Sequence, residues 1–88
     1  MNIKIKNLTA MEIEELGILT WPIWSCGISE FDWEYSAKES CLLLEGKVEV
    51  KSAFETVVFS AGDFVVFPKG LKCHWKVTSP VKKHYTFN

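Results

Sequence analysis

The chain contains no arginine. Its ten basic residues are all lysines and are set against eleven acidic residues, for a formal net charge of −1. Nucleic-acid-binding domains usually carry a clustered basic face and use arginine to contact phosphates and guanine. We therefore expect no nucleic-acid partner.

Long apolar runs are also missing. No run approaches the roughly 20 apolar residues that a membrane-spanning helix needs, so we expect no membrane segment. Residues 1–6 alternate between polar and apolar side chains and lack the continuous apolar core of a signal peptide. These features predict a cytoplasmic protein.

Cysteine and histidine are scarce. The three cysteines, Cys26, Cys41 and Cys73, are widely spaced and form neither a zinc motif nor an even set for disulfides. We expect reduced thiols that pack as small apolar side chains. The two histidines, His74 and His84, are expected at the surface.

Aromatic residues, in contrast, are abundant. They make up 14% of the 88 residues, with four tryptophans and six phenylalanines. Chains of this length usually form one domain and bury about 60–65% of their unfolded surface. We predict a single domain over residues 1–88, in which residues 1–17 form a strand and a helix and residues 18–88 form a barrel. The bulky side chains indicate a tight core or an aromatic pocket.

Capping signals predict one short helix near the start, after a strand at residues 2–6. Thr9 is a good N-cap, and Glu12 three residues later completes a capping box. Gly17 is the natural end of this helix.

The rest of the chain is rich in β-branched and aromatic residues, in short segments separated by turn signals. Several short strands after one brief helix predict an all-β sandwich or small barrel. The predicted strands are 28–35, 40–45, 47–51, 56–59, 64–67, 72–78 and 82–87, and turns are predicted at residues 45–46, 61–63, 68–70 and 79–80.

Two spaced motifs resemble those of the cupins. Gly62, Pro68, Gly70 and Cys73 fit the second cupin motif, G-x5-P-x-G-x2-H, with Cys73 in the place of the metal-binding histidine. The resemblance implies a single-domain cupin, a jelly-roll β-barrel of short antiparallel strands with one short N-terminal helix.

The first cupin motif, G-x5-H-x-H-x3-E-x6-G, is matched in spacing by Gly27, Trp33, Tyr35, Glu39 and Gly46. Trp33 and Tyr35 stand where the two histidines would be. A cupin metal site typically takes three imidazoles and a carboxylate, and an indole N–H can only donate. We therefore expect the usual metal site to be lost.

If a divalent manganese, zinc, iron or nickel ion binds, Glu39 and Cys73 are the residues that would hold it.

A closer resemblance is to the short cupins grouped with (S)-ureidoglycine aminohydrolase, through residues 21–24, 45–48 and 67–70. It implies a small-molecule-binding cupin, and as an enzyme a hydrolase of a small polar metabolite of the ureide or keto-acid type. The full-length aminohydrolases resemble two such domains fused and use manganese. This chain is half their length.

Alternation along the strands, anchored on the motif positions, predicts which side chains face inward. A buried, unpaired Glu39 would cost several kcal/mol, so this carboxylate is expected to be paired or to have a raised pKa. The predicted catalytic residues are Glu39, Cys73 and Tyr35, and the predicted ligand-binding residues are Trp33, Trp75, Cys41 and Phe31.

Structural alternatives remain open for these residues. Glu39 could tie down the turn after Tyr35, Cys73 could be an inert core thiol, and the aromatic side chains could simply fill a small barrel. Two further hypotheses for the function remain open. One is a metal-free binding module that stacks a small molecule on Trp33, Trp75 and Tyr35. The other is a homodimeric subunit without catalysis whose barrel is merely filled, since exposed strand edges favour pairing.

Overall fold

The N-terminal part of the chain follows its local signals. The computed structural model describes residues 2–87, and it begins with strand β1 (Lys4–Asn7) and helix α1 (Ala10–Glu15). Both bonds of the capping box are present: the Glu12 N–H donates to Thr9 Oγ1 at 3.2 Å, and the Thr9 N–H donates to Glu12 Oε1 at 3.0 Å. The predicted helix is therefore confirmed, and a 3-10 helix (Ile18–Thr20) follows it.

Strands make up most of the remainder, and all their pairings are antiparallel. The strands form one seven-stranded sheet in the order β1-β6-β4-β7-β2, with β3 also paired to β7 and β5 to β4. The all-β prediction is confirmed. The strands after the helices are β2 (Ile23–Cys26), β3 (Ser29–Glu34), β4 (Glu39–Ser52), β5 (Thr56–Ser60), β6 (Asp63–Phe67) and β7 (Lys72–Phe87).

Two long strands replace four predicted short ones. The segments predicted at 40–45 and 47–51 are joined in β4, and those at 72–78 and 82–87 are joined in β7. The predicted turns at Gly46 and Pro80 are bends in this strand pair, where the register shifts between residues 43 and 48 of β4. An irregular register lets paired strands bend without reversing the chain.

Strand β2 was not predicted. It begins directly after Pro22 and pairs with the end of β7, with Ile23 opposite His84 and Cys26 opposite Val81. Four residues beside a proline carry too little periodicity to predict a strand, and the pairing with β7 is what fixes it.

Alternate residues of β4 separate two apolar clusters. Cys41 and Leu43 belong to the larger cluster, which includes Trp75 and Phe67, whereas Leu42 faces the opposite side. This is the period of two expected for a strand buried on both faces. The smaller cluster contains Ile18, Leu42 and Phe64, with Leu8, Ile13 and Trp21 packed against it.

Within residues 2–87, no helix is long and apolar enough to cross a membrane.

Candidate functional site

A pocket of about 210 Å³ opens beside the larger cluster. Its wall consists of seven aromatic side chains, one carboxylate and one ammonium group. The lining residues are Trp24, Phe31, Trp33, Tyr35, Glu39, Trp75, Lys83, Tyr85 and Phe87.

Strand β7 contributes to the pocket from both sides of its bend. Trp75 precedes Pro80 and Lys83 follows it, yet both side chains line the pocket. Tyr35 follows β3, and Glu39 is the first residue of β4. The site therefore depends on the pairing of β7 with β3 and β4, which brings together residues that are far apart in the sequence.

Glu39 and Lys83 form a buried ion pair in the pocket wall. Lys83 Nζ donates to Glu39 Oε2 at 2.6 Å, and the side chains of Lys83 and Glu39 are only 6% and 5% exposed, respectively. The ammonium group also lies 5.0 Å from the ring centroid of Trp24 and 4.8 Å from that of Trp75. An indole face attracts a cation, so two rings and one carboxylate hold this ammonium group in place. Of the two states expected for Glu39, the structure shows the paired one.

The sequence analysis missed four of the lining residues, Trp24, Lys83, Tyr85 and Phe87, and Lys83 is the charged one. The signal was present, because Val81, Tyr85 and Phe87 alternate as apolar residues and Lys83 shares their face of the strand. Lysine side chains are usually solvated. A sequence-based prediction therefore places Lys83 at the protein surface, unless a buried carboxylate has already been identified as its partner.

Tyr35 is buried at the base of the aromatic wall. Its hydroxyl accepts a hydrogen bond from Trp75 Nε1 at 3.1 Å, and its ring stacks on Phe67 with centroids 4.7 Å apart. Burial and the negative charge of Glu39 raise the pKa of Tyr35 well above its usual range. The phenol is therefore neutral at neutral pH and can donate its own O–H.

The aromatic residues predicted to bind a ligand line the pocket together. Phe31 and Trp75 are stacked with centroids 5.9 Å apart and an interplanar angle of 14°. Trp33 is 48% exposed and contacts Tyr35 edge-on at 6.4 Å. Trp33 thus lies at the mouth of the pocket, and Trp75 lies inside it.

The two predicted cysteines do not line the pocket. Cys73 is paired with Trp33 across β3 and β7, and its Sγ donates to the Trp33 carbonyl oxygen at 3.7 Å. Burial raises the pKa of the Cys73 thiol and raises that of Cys41 to about 12. Such thiols are poor nucleophiles and poor metal ligands. Thus Glu39 and Tyr35 are brought together in the pocket, and Cys73 and Cys41 lie in the surrounding core.

The residues at the cupin motif positions do not fit a metal ion. In the part of the chain that the structure describes, no group of three or more His, Cys, Asp or Glu side chains could hold one. Glu39 already binds the Lys83 ammonium group, which would repel a divalent cation at the same carboxylate.

The two histidines lie away from the pocket. His74 is bonded on the surface to Asp32 through Nδ1 at 2.8 Å and to Glu30 through Nε2 at 3.0 Å. The surface location predicted for His84 is wrong. It is buried on the reverse face of β7, with Nδ1 2.9 Å from the Trp21 carbonyl oxygen, because β7 is covered on that face by the segment after the helix.

Comparison with known families decides the assignment. Residues 13–85 match the EutQ-like cupin domain. The chain belongs to this family. The cupin fold predicted from the two motifs is therefore confirmed, and nothing in the comparisons links this EutQ-like cupin specifically to (S)-ureidoglycine aminohydrolase.

Solved structures agree with the family. A DUF861 family protein from Thermotoga maritima is 48% identical over 99% of this chain and 100% of its own, with a TM-score of 0.97. Ethanolamine utilization protein Q of Salmonella typhimurium is 20% identical over 97% of this chain and 68% of its own, with a TM-score of 0.65. The EutQ protein of Clostridium difficile is 19% identical over 94% and 64%, with a TM-score of 0.66. At these identities the two EutQ proteins share the fold alone. A search of curated proteins gave no match.

Proposed function

We propose that this EutQ-like cupin binds a small molecule in the aromatic pocket, with the polar group of the ligand on the Glu39–Lys83 pair. The observation that carries this proposal is the buried ion pair in the pocket wall. A pair of buried charges is often no more stabilising than well-packed apolar residues of similar volume. A domain that needed only a filled core would gain little from it, whereas a binding site gains a donor and an acceptor.

The size of the pocket supports a small ligand. Its volume of about 210 Å³ lies below the roughly 300–1,000 Å³ of pockets for drug-sized molecules. Flat or short molecules would pack against the aromatic wall that Phe31, Trp33 and Trp75 form. Small polar metabolites of the ureide or keto-acid type fall in this size range, and the Lys83 ammonium group can donate to an oxygen of such a ligand without a metal ion.

The four tryptophans provide the test. Trp24, Trp33 and Trp75 line the pocket, whereas Trp21 packs against the smaller cluster on the other side of the sheet. We expect a ligand from a panel of small ureides, amides and keto acids to move the indole N–H signals of the three pocket tryptophans in ¹H–¹⁵N NMR spectra. The Trp21 signal should stay fixed, as an internal control.

The spectra should be recorded with and without EDTA. Shifts that need an added metal would contradict metal-free binding. Shifts spread equally over all four indoles would indicate a general conformational change, and no shift with any compound would favour a structural subunit.

A catalytic role is a second proposal, favoured by the hydrogen-bonded carboxylate and ammonium in one pocket. Such a pair presents an acceptor and a donor to the same ligand, as general acid–base hydrolysis of a ureide would require. The resemblance to (S)-ureidoglycine aminohydrolase suggests release of ammonia as the reaction. Wild type should release ammonia from a bound ureide and Glu39→Gln should not, at a temperature where circular dichroism shows both proteins folded. If wild type releases ammonia no faster than Glu39→Gln does, Glu39 has no catalytic role and ligand binding remains the proposed function.

A further inference from the structure

The charges in the pocket wall cancel. Glu39 and Lys83 contribute one negative and one positive charge within hydrogen-bond distance, and the other lining side chains are aromatic. The raised pKa of Tyr35 keeps its phenol uncharged at neutral pH. The ligand would therefore meet a donor and an acceptor side by side, with no net charge.

This balance differs from that of a metal cupin. A divalent cation held by three neutral imidazoles and one carboxylate leaves a net positive charge, which favours an anionic ligand. Here the glutamate of the first motif is neutralised by the chain's own ammonium group. In a bound complex, Lys83 would be the group that polarises a ligand oxygen, and Glu39 would cancel its charge.

We infer that the pocket selects a neutral primary amide or urea group over a carboxylate, an inference that rests on the proposed binding function. An amide carbonyl can accept from Lys83 while the amide N–H donates to Glu39. A carboxylate can accept from Lys83, but it is repelled by Glu39, whose oxygen lies 2.6 Å from the ammonium nitrogen. In a site shielded from water, both the attraction to Lys83 and the repulsion from Glu39 are stronger than in solvent.

Three probes of nearly the same shape separate the contributions: benzamide, benzoate and toluene. Their affinities for the wild-type protein would be measured by calorimetry at pH 7 in the presence of EDTA. Benzamide should bind at least about tenfold more tightly than either of the others, since a hydrogen bond to a charged group is worth about that factor or more. Toluene reports the contribution of the aromatic wall alone.

The double variant Glu39→Gln/Lys83→Met removes the charges with little change in volume. The advantage of benzamide over toluene should fall to about threefold or less, because the amide introduced at position 39 still offers one hydrogen-bond partner but no charge remains. Lys82→Met is the matched control: Lys82 is the exposed neighbour on the opposite face of β7, and this variant should keep the wild-type order.

Each result has one meaning. Benzoate binding as tightly as benzamide, or more tightly, would overturn the selectivity and assign a net positive site. Benzamide binding no better than toluene would overturn it while leaving the pocket as a binding site. If none of the three binds, the proposed function fails together with the inference. The wild-type series decides these outcomes even if the double variant does not fold.

Discussion

Without Glu39, the buried ammonium group of Lys83 would destabilise the folded protein. The neighbours of Lys83 show how that cost is offset. Its ammonium group has one carboxylate oxygen at 2.6 Å and two indole rings within about 5 Å. Removing one member of a buried pair leaves the other charge unpaired in the core. We expect Lys83→Met to lower the free energy of unfolding by about 3–5 kcal/mol.

Urea denaturation measures this loss. The double variant with Glu39→Gln should recover most of it, because no unpaired charge is left. If the double variant is as unstable as Lys83→Met, the stability of the region comes from the lysine side-chain packing and not from the pair.

The two surface hydrogen bonds of His74 predict that the stability of the folded protein depends on pH. Hydrogen bonds to Asp32 and Glu30 raise the pKa of His74, and the bond to His74 lowers the pKa of Glu30. The stabilisation from His74 is therefore complete below its unfolded pKa and is lost as the pH rises through its folded pKa. That from Glu30 is present above its unfolded pKa and is lost as the pH falls through its folded pKa.

An NMR titration of the imidazole tests this cluster. The midpoint for His74 should lie above the ordinary value of about 6.5 and should fall in Asp32→Asn and in Glu30→Gln. Glu34→Gln, on the same exposed strand, is the control and should leave the midpoint nearly unchanged. An unperturbed midpoint in the wild type would mean that the side chains do not pair in solution.

The thiols differ in accessibility. Cys41 and Cys73 are buried and have raised pKa values, whereas Cys26 is half-buried next to Ser29. We expect an aromatic disulfide reagent to modify Cys26 first in the native protein, and the other two only on unfolding. Rapid native labelling of Cys73 would revive its predicted catalytic role.

At the level of elements, the bend shared by β4 and β7 is the feature that shapes the site. Gly46 has φ of 99°, and a Cβ added there would lie 2.3 Å from the Pro80 carbonyl oxygen. The close approach of these two residues sets the shift in register, and with it the face on which Lys83 lies.

A pair of glycine substitutions separates clash from strain. Gly62 has φ of 96°, but a Cβ there would meet nothing within 4 Å. Gly62→Ala should cost about 1–3 kcal/mol from backbone strain alone, and Gly46→Ala should cost clearly more. Equal losses in urea denaturation would mean that the strands separate at the bend without penalty.

The same bend marks the limit of sequence-based prediction for the elements. The helix was predictable because a capping box acts within four residues. The strand breaks at Gly46 and Pro80 were misplaced, because glycine and proline signal a change of direction without showing whether the chain reverses or only bends. That difference is decided by the partner strand.

At the scale of the whole molecule, the site gathers residues from β2, β3, β4 and β7 and from the loop after β3. The cupin motif spacing predicted that Glu39, Tyr35, Trp33 and Trp75 share the interior. It could not supply Lys83, which lies outside both motifs, nor could it show that the Cys73 thiol turns to a backbone carbonyl. Pairing between side chains depends on tertiary distances that spacing along the chain does not encode.

The position of the ammonium group against the two indole rings has an optical consequence. A positive charge held about 5 Å from the centroids of Trp24 and Trp75 acts as a local electric field on their excited states. Any event that displaces the Lys83 side chain changes that field, and so changes the colour and yield of the intrinsic emission. The intrinsic tryptophan fluorescence thus reports the state of Lys83, which is the one buried lysine among residues 2–87.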